Sequence, residues 1–227
     1  MCEFREACAT YKLLRTRGYP EKATLKLVGD RHRLTRVQRN CIFRGVVPPE
    51  AALRRQAKLV SPEAVQGKLL AVDWYNVLIT VESYLKGDTV FLADDGVVRD
   101  ASATHGSYRT SAVTERAVSE LVEEVARCAP ARVEAYLDVP IAFSGRMADN
   151  VRQRFQGCPF EASASLAPSA DFPLKASPGI VASSDSAVLE ACVQAVDLAR
   201  VVLERRFGFT PPGVLELFAE HRGGLPQ

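Results

Sequence analysis

KLLAVDWYNVLITVESYL, residues 68–85, is the stretch whose reading decides the fold. Leu69 to Val72 is a short apolar run that predicts a buried strand, and the run ends in an acid, Asp73. Asn76 follows three residues later, as a helix begins. Val77, Leu78, Val81 and Leu85 then recur at helical spacing. In an open α/β sheet, ligands bind outside the carboxyl ends of the strands, which is where Asp73 falls.

Downstream, strand and helix signals keep alternating. TVFLA (89–93) reads as a second strand and ends at Asp94-Asp95-Gly96, a turn sequence. VVRDASATHGSYRT is polar with little periodicity and reads as a loop. Val113, Ala117, Val118, Leu121, Val122 and Val125 mark an amphipathic helix. RVEAYL (132–137) is a third strand, ending at Asp138, and a loop then runs into a helix from about Ser144. FEASASL predicts a fourth strand, with a Pro/Ser-rich loop behind it. GIVASS (179–184) predicts a fifth, ending at Asp185. A single, almost wholly apolar helix is expected from Ala187 to about Arg206, with one wet stripe at Glu190, Gln194, Asp197, Arg200 and Glu204. PPGVLELFAEH reads as a last short helix. Strands alternating with helices predict a mainly parallel sheet covered on both faces.

Residues 1–66 read differently. Phe4, Ala7, Cys8, Tyr11 and Leu14 share one helical face, and Gly18 and Pro20 separate that helix from the next. Thr35 with Gln38 is a capping-box pattern that starts a third helix, and AALRRQAK predicts a fourth. Lys58 to Gly67 reads as the connection, so a basic helical domain over 1–60 is expected to precede an α/β domain over 67–227. The charge divides in the same place. Residues 1–66 hold 14 Lys+Arg and 6 Asp+Glu, or +8, and the remainder holds 15 and 21, or −6, summing to the +2 of the whole chain. Phosphate backbones attract basic modules. Arg31, Arg33, Arg36, Arg39 and Arg44 cluster around the third helix and loosely suggest a helix-turn-helix-like nucleic-acid contact; a merely solvated face is the plainer alternative.

Composition narrows the class. A chain of 227 residues, 47% hydrophobic and 25% charged, matches an ordinary globular protein. No apolar run approaches the ~20 residues that span a bilayer. MCEFREACATYK lacks the order of a signal peptide, so a cytoplasmic location without membrane contact is expected. The six cysteines are irregularly spaced, which favours neither a zinc site nor a disulfide framework.

The acids carry the chemistry. Asp73, Asp94 with Asp95, Asp138 and Asp185 each close a predicted strand, and in a parallel sheet such ends share one edge. Clustered carboxylates repel unless a cation neutralises them, and hard cations such as Mg²⁺ or Mn²⁺ prefer carboxylate oxygen. Such ions activate water and stabilise charge developing on a phosphodiester. Each acid also has a structural reading, as an N-cap (Asp73, Asp185) or a turn residue (Asp94, Asp95, Asp138). Glu82 and Asp197 read as surface or supporting residues. His105, Arg99 and Arg109 either hold a phosphate or donate a proton, or else belong to a solvent-exposed loop. Ser144-Gly145 begins either an anion-binding helix N-terminus or a plain cap.

Two of these segments also carry a family resemblance. VDWYNVL resembles the D-x-x-N opening of the NYN group of the PIN-like nuclease superfamily. IVASSDSAVL resembles that superfamily's strand followed by a (T/S)xD motif. RGYPEKATLKLVGDRHRLTRVQR, with DDGVVRD, HGSYRT and LDVPIAFSG, is similar to an uncharacterised prokaryotic two-part family, and this likeness covers most of the chain. The resemblance implies a three-layer α/β/α domain that binds a divalent metal through several acids and cleaves RNA. By position it implies Asp73, Asp138 and Asp185 as catalytic ligands, with Asn76 supporting. Two alternatives stay open: a phosphohydrolase with Asp73 as nucleophile, and a non-catalytic nucleic-acid-binding module. Tyr75 weakens the former, because it stands where haloacid-dehalogenase-like enzymes carry a second Asp.

Overall fold

The computed structural model describes residues 3–102 and 108–218. Five parallel strands form the sheet, in the order β5-β4-β1-β6-β7. They are β1 (Leu69–Asp73), β4 (Arg132–Asp138), β5 (Glu161–Ala167), β6 (Ile180–Ala182) and β7 (Gln194–Ala195). Because β1 is central, the chain first builds outward through β4 and β5. It then crosses back to β6 on the other side of β1, which puts the topological switch point at the carboxyl ends of β1 and β6.

Both faces of the sheet are covered, as the apolar runs require. Leu70 and Val72 of β1, with Val133, Ala135 and Leu137 of β4, pack beneath four helices: α5 (Trp74–Lys86), α6 (Thr114–Arg127), α7 (Ser144–Phe155) and α10 (Leu198–Phe207). Ala71 and Val181 face the other way, into a smaller core with α8 (Asp171–Lys175) and α9 (Ser186–Ala191). The β1–α5 unit stands as read from sequence, and Gly87, at φ 76°, closes α5 in a left-handed turn few other residues adopt.

Four helices precede the sheet: α1 (Glu3–Thr16), α2 (Glu21–Arg31), α3 (Arg36–Gly45) and α4 (Pro49–Gln56). The capping box at α3 forms as expected, with Gln38 N–H donating to Thr35 Oγ1 at 3.3 Å and Thr35 N–H to Gln38 Oε1 at 2.9 Å. Phe4, Tyr11, Val28 and Ile42 of these helices share a core with Phe91, Ala93 and Ala101, and with Val214 and Leu217 near the other end of the chain. Gly45 is where α3 comes closest, since a Cβ there would stand 2.6 Å from the Phe91 ring. The basic helices are therefore packed firmly onto the α/β part.

Three expectations change. TVFLA is no strand of the parallel sheet. β2 (Val90–Leu92) pairs antiparallel with β3 (Val98–Asp100), making a separate two-stranded hairpin out of what read as strand and loop. The long helix expected from Ala187 is broken at Cys192. α9 ends there, Gln194 and Ala195 join the sheet beside Ile180 and Val181 while Val60 N–H donates to Ala195 O at 2.8 Å from the other side, and α10 starts anew at Leu198. The Pro/Ser-rich stretch contains α8. Among the described residues, no helix is long and apolar enough to cross a membrane.

Candidate functional site

The carboxyl edge of β1, β4 and β6 surrounds a cavity of about 380 Å³ lined by Asp73, Tyr75, Asn76, Asp138, Asp171 and Asp185, among others. Three of these acids are the ones expected from strand ends. Asp73 is 5% exposed, and burial, with Asp138, Asp185 and Asp171 adding to it, pushes its carboxyl up to about 7. A single hydroxyl opposes that shift, Ser183 donating to Asp73 Oδ2 at 2.8 Å.

The turn after β6 is tied to β1 and α5 through two serines. Ser183 Oγ also accepts from Asp185 N–H at 3.0 Å. Ser184 donates both its N–H (2.7 Å) and its hydroxyl (2.8 Å) to Asn76 Oδ1. A carbonyl oxygen has two lone pairs, so Asn76 has no oxygen left for a cation. The asparagine expected as a supporting ligand instead fixes the turn, with its NH₂ group facing the opposite way.

Asp185 is at once an N-cap and a cavity acid. Its Oδ1 accepts from Ala187 N–H (2.8 Å) and Val188 N–H (3.0 Å), and Oδ2 makes no such bond among the described residues. Asp138 Oδ1 accepts from Ala170 N–H at 2.9 Å, which holds the loop carrying Asp171 against β4. Asp171, paired with Lys175 at 2.7 Å, was missed by the sequence reading. The available signal was an acid opening a turn a few residues beyond the end of a strand, hidden in a Pro/Ser-rich stretch.

Asp94 and Asp95 are not part of this edge, because the strand they follow is in the hairpin. Asp94 accepts from Val47 N–H (3.0 Å) and pairs with Lys12 (2.7 Å). Asp95 is fully buried between guanidinium groups, with Arg99 Nη1 at 2.6 Å, Arg99 Nη2 at 2.8 Å and Arg55 Nη1 at 3.0 Å. Burial raises its carboxyl, but the two arginines outweigh that and hold it below the usual range. Both acids clamp the helical part to the hairpin, so the ligand reading is corrected for them.

The remaining candidates scatter. Arg99 is a buried ion-pair partner and no loop cation. His105 lies outside the described residues, and Arg109 is exposed. Ser144 is buried and donates to Val139 O at 3.4 Å, while Phe143 caps the helix at φ 62°; neither is arranged as an anion site. Glu82, expected near the surface, is 1% exposed and accepts from Tyr108 Oη and Thr114 Oγ1, each at 2.6 Å. Asp197 caps α10 and reaches across to Val98 N–H at 2.6 Å, tying the hairpin to that helix. Arg31, Arg33 and Arg36 are exposed. Arg39 is held by Asp30 (2.9 Å) and Leu34 O (3.1 Å), and Arg44 by Asp100 (2.9 Å).

The all-oxygen donor set around the cavity suits a hard divalent cation in kind. Among the described residues, however, no group of three or more His, Cys, Asp or Glu side chains is drawn together closely enough to hold one as placed.

A family model described as Domain of unknown function (DUF5616) matches residues 62–201, more than half of the chain. The chain belongs to that family. A second, Protein of unknown function (DUF434), matches residues 3–58, so the two-part organisation coincides with two recognised units. The DUF5616 match contains every acid of the cavity. The chain is also similar to the Uncharacterized protein MJ0935 of Methanocaldococcus jannaschii, with 28% identity over 181 residues, covering 80% of this chain and 86% of that protein. No solved structure matches.

Proposed function

We propose that this DUF5616 protein is a cytoplasmic, divalent-metal-dependent endoribonuclease with a PIN-like α/β/α domain. One observation carries the reading: Asp73, Asp138, Asp171 and Asp185 converge on a single cavity at the switch point of a parallel sheet. Carboxylates so gathered repel one another, and a buried one among them is costly unless a cation or a proton neutralises it. Asp73, Asp138 and Asp185 would hold Mg²⁺ or Mn²⁺ only after drawing closer together than they stand, with Asp171 beside them once Lys175 is displaced. Bound there, the ion would polarise a phosphodiester and acidify water. The protein's own part is to position the acids. Ser183 orients Asp73, the Ala187 and Val188 amides orient Asp185, and the Ala170 amide orients Asp138. A buried, proton-retaining Asp73 weighs against its acting as a free nucleophile.

The test is cleavage of a mixed RNA pool by purified protein, with Mn²⁺ and with EDTA. Products are expected only with the metal. Activity that persists in EDTA rejects the reading, and binding without cleavage assigns the chain to the non-catalytic alternative.

The helical part would supply affinity through exposed charge, which releases counterions on phosphate. Changing Arg31, Arg33 and Arg36 together to Ala should flatten the dependence of log K on log salt by roughly 2 to 3. Changing Arg39 alone should leave it near wild type, since Asp30 already neutralises that charge. An unchanged slope in the triple variant would return these arginines to a merely solvated face.

A further inference from the structure

A second cavity, of about 470 Å³, opens beside the acidic one. Asn76 and Asp185 line both, so the two spaces meet at that pair. Its far wall comes from the helical part, with Asn40, Phe43 and Arg44 of α3. Its volume lies within the range of roughly 300–1,000 Å³ usual for small-molecule sites.

We propose that this second cavity is a subsite for one nucleotide, recognised chiefly through its base. Its place next to a scissile phosphate rests on the nuclease reading; its ability to bind does not. Phe43 is 40% exposed and puts an aromatic side chain at the wall of a cavity that also holds several polar groups. Base stacking on such a ring is tolerant of sequence and adds substantial affinity. Two polar side chains of the lining are oriented by their own hydrogen bonds. Asn40 gives an N–H of Nδ2 to Ala101 O at 3.0 Å, which leaves Oδ1 as an acceptor. Asn76, its oxygen taken by Ser184, presents NH₂ as a donor. The lining thus offers one acceptor and one donor as well as an aromatic ring, the kinds of group that the edge and face of a nucleobase pair with.

Charge separates a base site from a phosphate site. Arg44 Nη1 is held by buried Asp100, both at its carboxylate and at its carbonyl oxygen (2.9 Å each), and Arg99 is matched by Asp95. Glu21 and Asp185 add negative charge to the wall. The cavity therefore carries no surplus positive charge, and inorganic phosphate alone should bind poorly there.

The experiment is an NMR or calorimetric titration of the full chain in EDTA with the four nucleoside monophosphates and, separately, inorganic phosphate. At least one nucleotide should bind in a saturable way at millimolar concentration or below, and far more tightly than phosphate. Phe43→Ala should weaken that binding roughly 5- to 150-fold, the loss expected for one stacked base. Phe43→Leu, which keeps apolar bulk without the ring, should also weaken it, at an unchanged melting temperature. No nucleotide binding, phosphate binding as well as nucleotides, or Phe43 variants binding like wild type would each overturn the subsite. Nucleotide binding that follows these rules in a protein that cleaves no RNA keeps the subsite and overturns the nuclease reading alone.

Discussion

Asp73→Asn should cut RNA cleavage steeply and at the same time make the metal-free protein more stable at pH 8. The carboxyl is buried, and its pKa moves from 3.8 to about 7 on folding. A folded-state pKa above the unfolded one means that the folded protein binds this proton more tightly. The associated stability is fully present below about pH 4 and is lost as the pH rises through 7. Above that point the ionised carboxylate opposes folding by on the order of 2–4 kcal/mol. Asparagine keeps the shape, still bonds to Ser183, and does not titrate. In EDTA at pH 8 its melting temperature should exceed the wild type's by several degrees, and the gap should close toward pH 4. Mn²⁺ reverses the comparison, because a cation compensates the carboxylate and has less to gain from an amide. Wild type should therefore be stabilised by Mn²⁺ and the variant should not, while cleavage falls on the order of a thousandfold. Thermal melts across pH, with Mn²⁺ and with EDTA, check this beside the cleavage assay. Equal melting temperatures in EDTA at pH 8, together with equal Mn²⁺ shifts, would remove Asp73 from any metal site.

The parts of this site legible from sequence were those with local signals. An apolar run closing on an acid marked Asp73, Asp138 and Asp185, because a strand's end sits at the sheet's edge wherever the rest of the chain goes. Thr35 and Gln38 announced α3 by a bond that closes within one turn. What stayed hidden depended on partners far along the chain. Arg99 and Asp100 look like loop residues. They are buried only because Asp95, Arg44 and Thr80 meet them there. The three-residue strands β2 and β3 are too short to show a period, so the hairpin read as a strand and a loop. Residues 187–206 are apolar at 13 of 20 positions, and the apolar runs between the polar ones fit a buried helix and a buried strand equally. The break at Cys192 is decided by backbone groups of Lys58 and Val60, which bond to Ala195 from outside the segment. Asp171 follows no apolar run. It reaches the cavity because the Asp138 carboxylate pins the loop before it.

Asp95→Asn should do the reverse of Asp73→Asn: it should destabilise the protein severely, with or without metal. Asp95 is fully buried and binds Arg99 through both oxygens, and one of those oxygens also meets Arg55, whose Nε is bonded to Glu190 at 3.0 Å. Arg99 Nε reaches Ser184 O at 3.0 Å, so the same network supports the turn that carries Asp185. An amide here removes the negative charge and turns an NH₂ group toward two guanidinium groups. Arg99 loses its carboxylate partner and Arg55 keeps only Glu190, and breaking a buried pair from one side typically costs about 3–5 kcal/mol. For a chain of this size that corresponds to a fall of roughly 6–20 °C in melting temperature. The pH dependence should differ as well. With its carboxyl held below the usual range, Asp95 contributes stability that is present above about pH 4, the unfolded value, and is lost as the pH falls further. Wild type and variant should therefore draw together in strong acid, where the Asp73 pair also converges but from the opposite side. Because Arg55 belongs to α4, the variant should also expose residues 3–56 to proteolysis before the α/β part unfolds. A metal ligand would behave otherwise, since removing its charge from a cluster of acids relieves repulsion in the metal-free state. A melting temperature in EDTA that rises or holds steady in Asp95→Asn would return this residue to the acidic edge, and a large fall confirms it as the anchor between the basic helices and the hairpin.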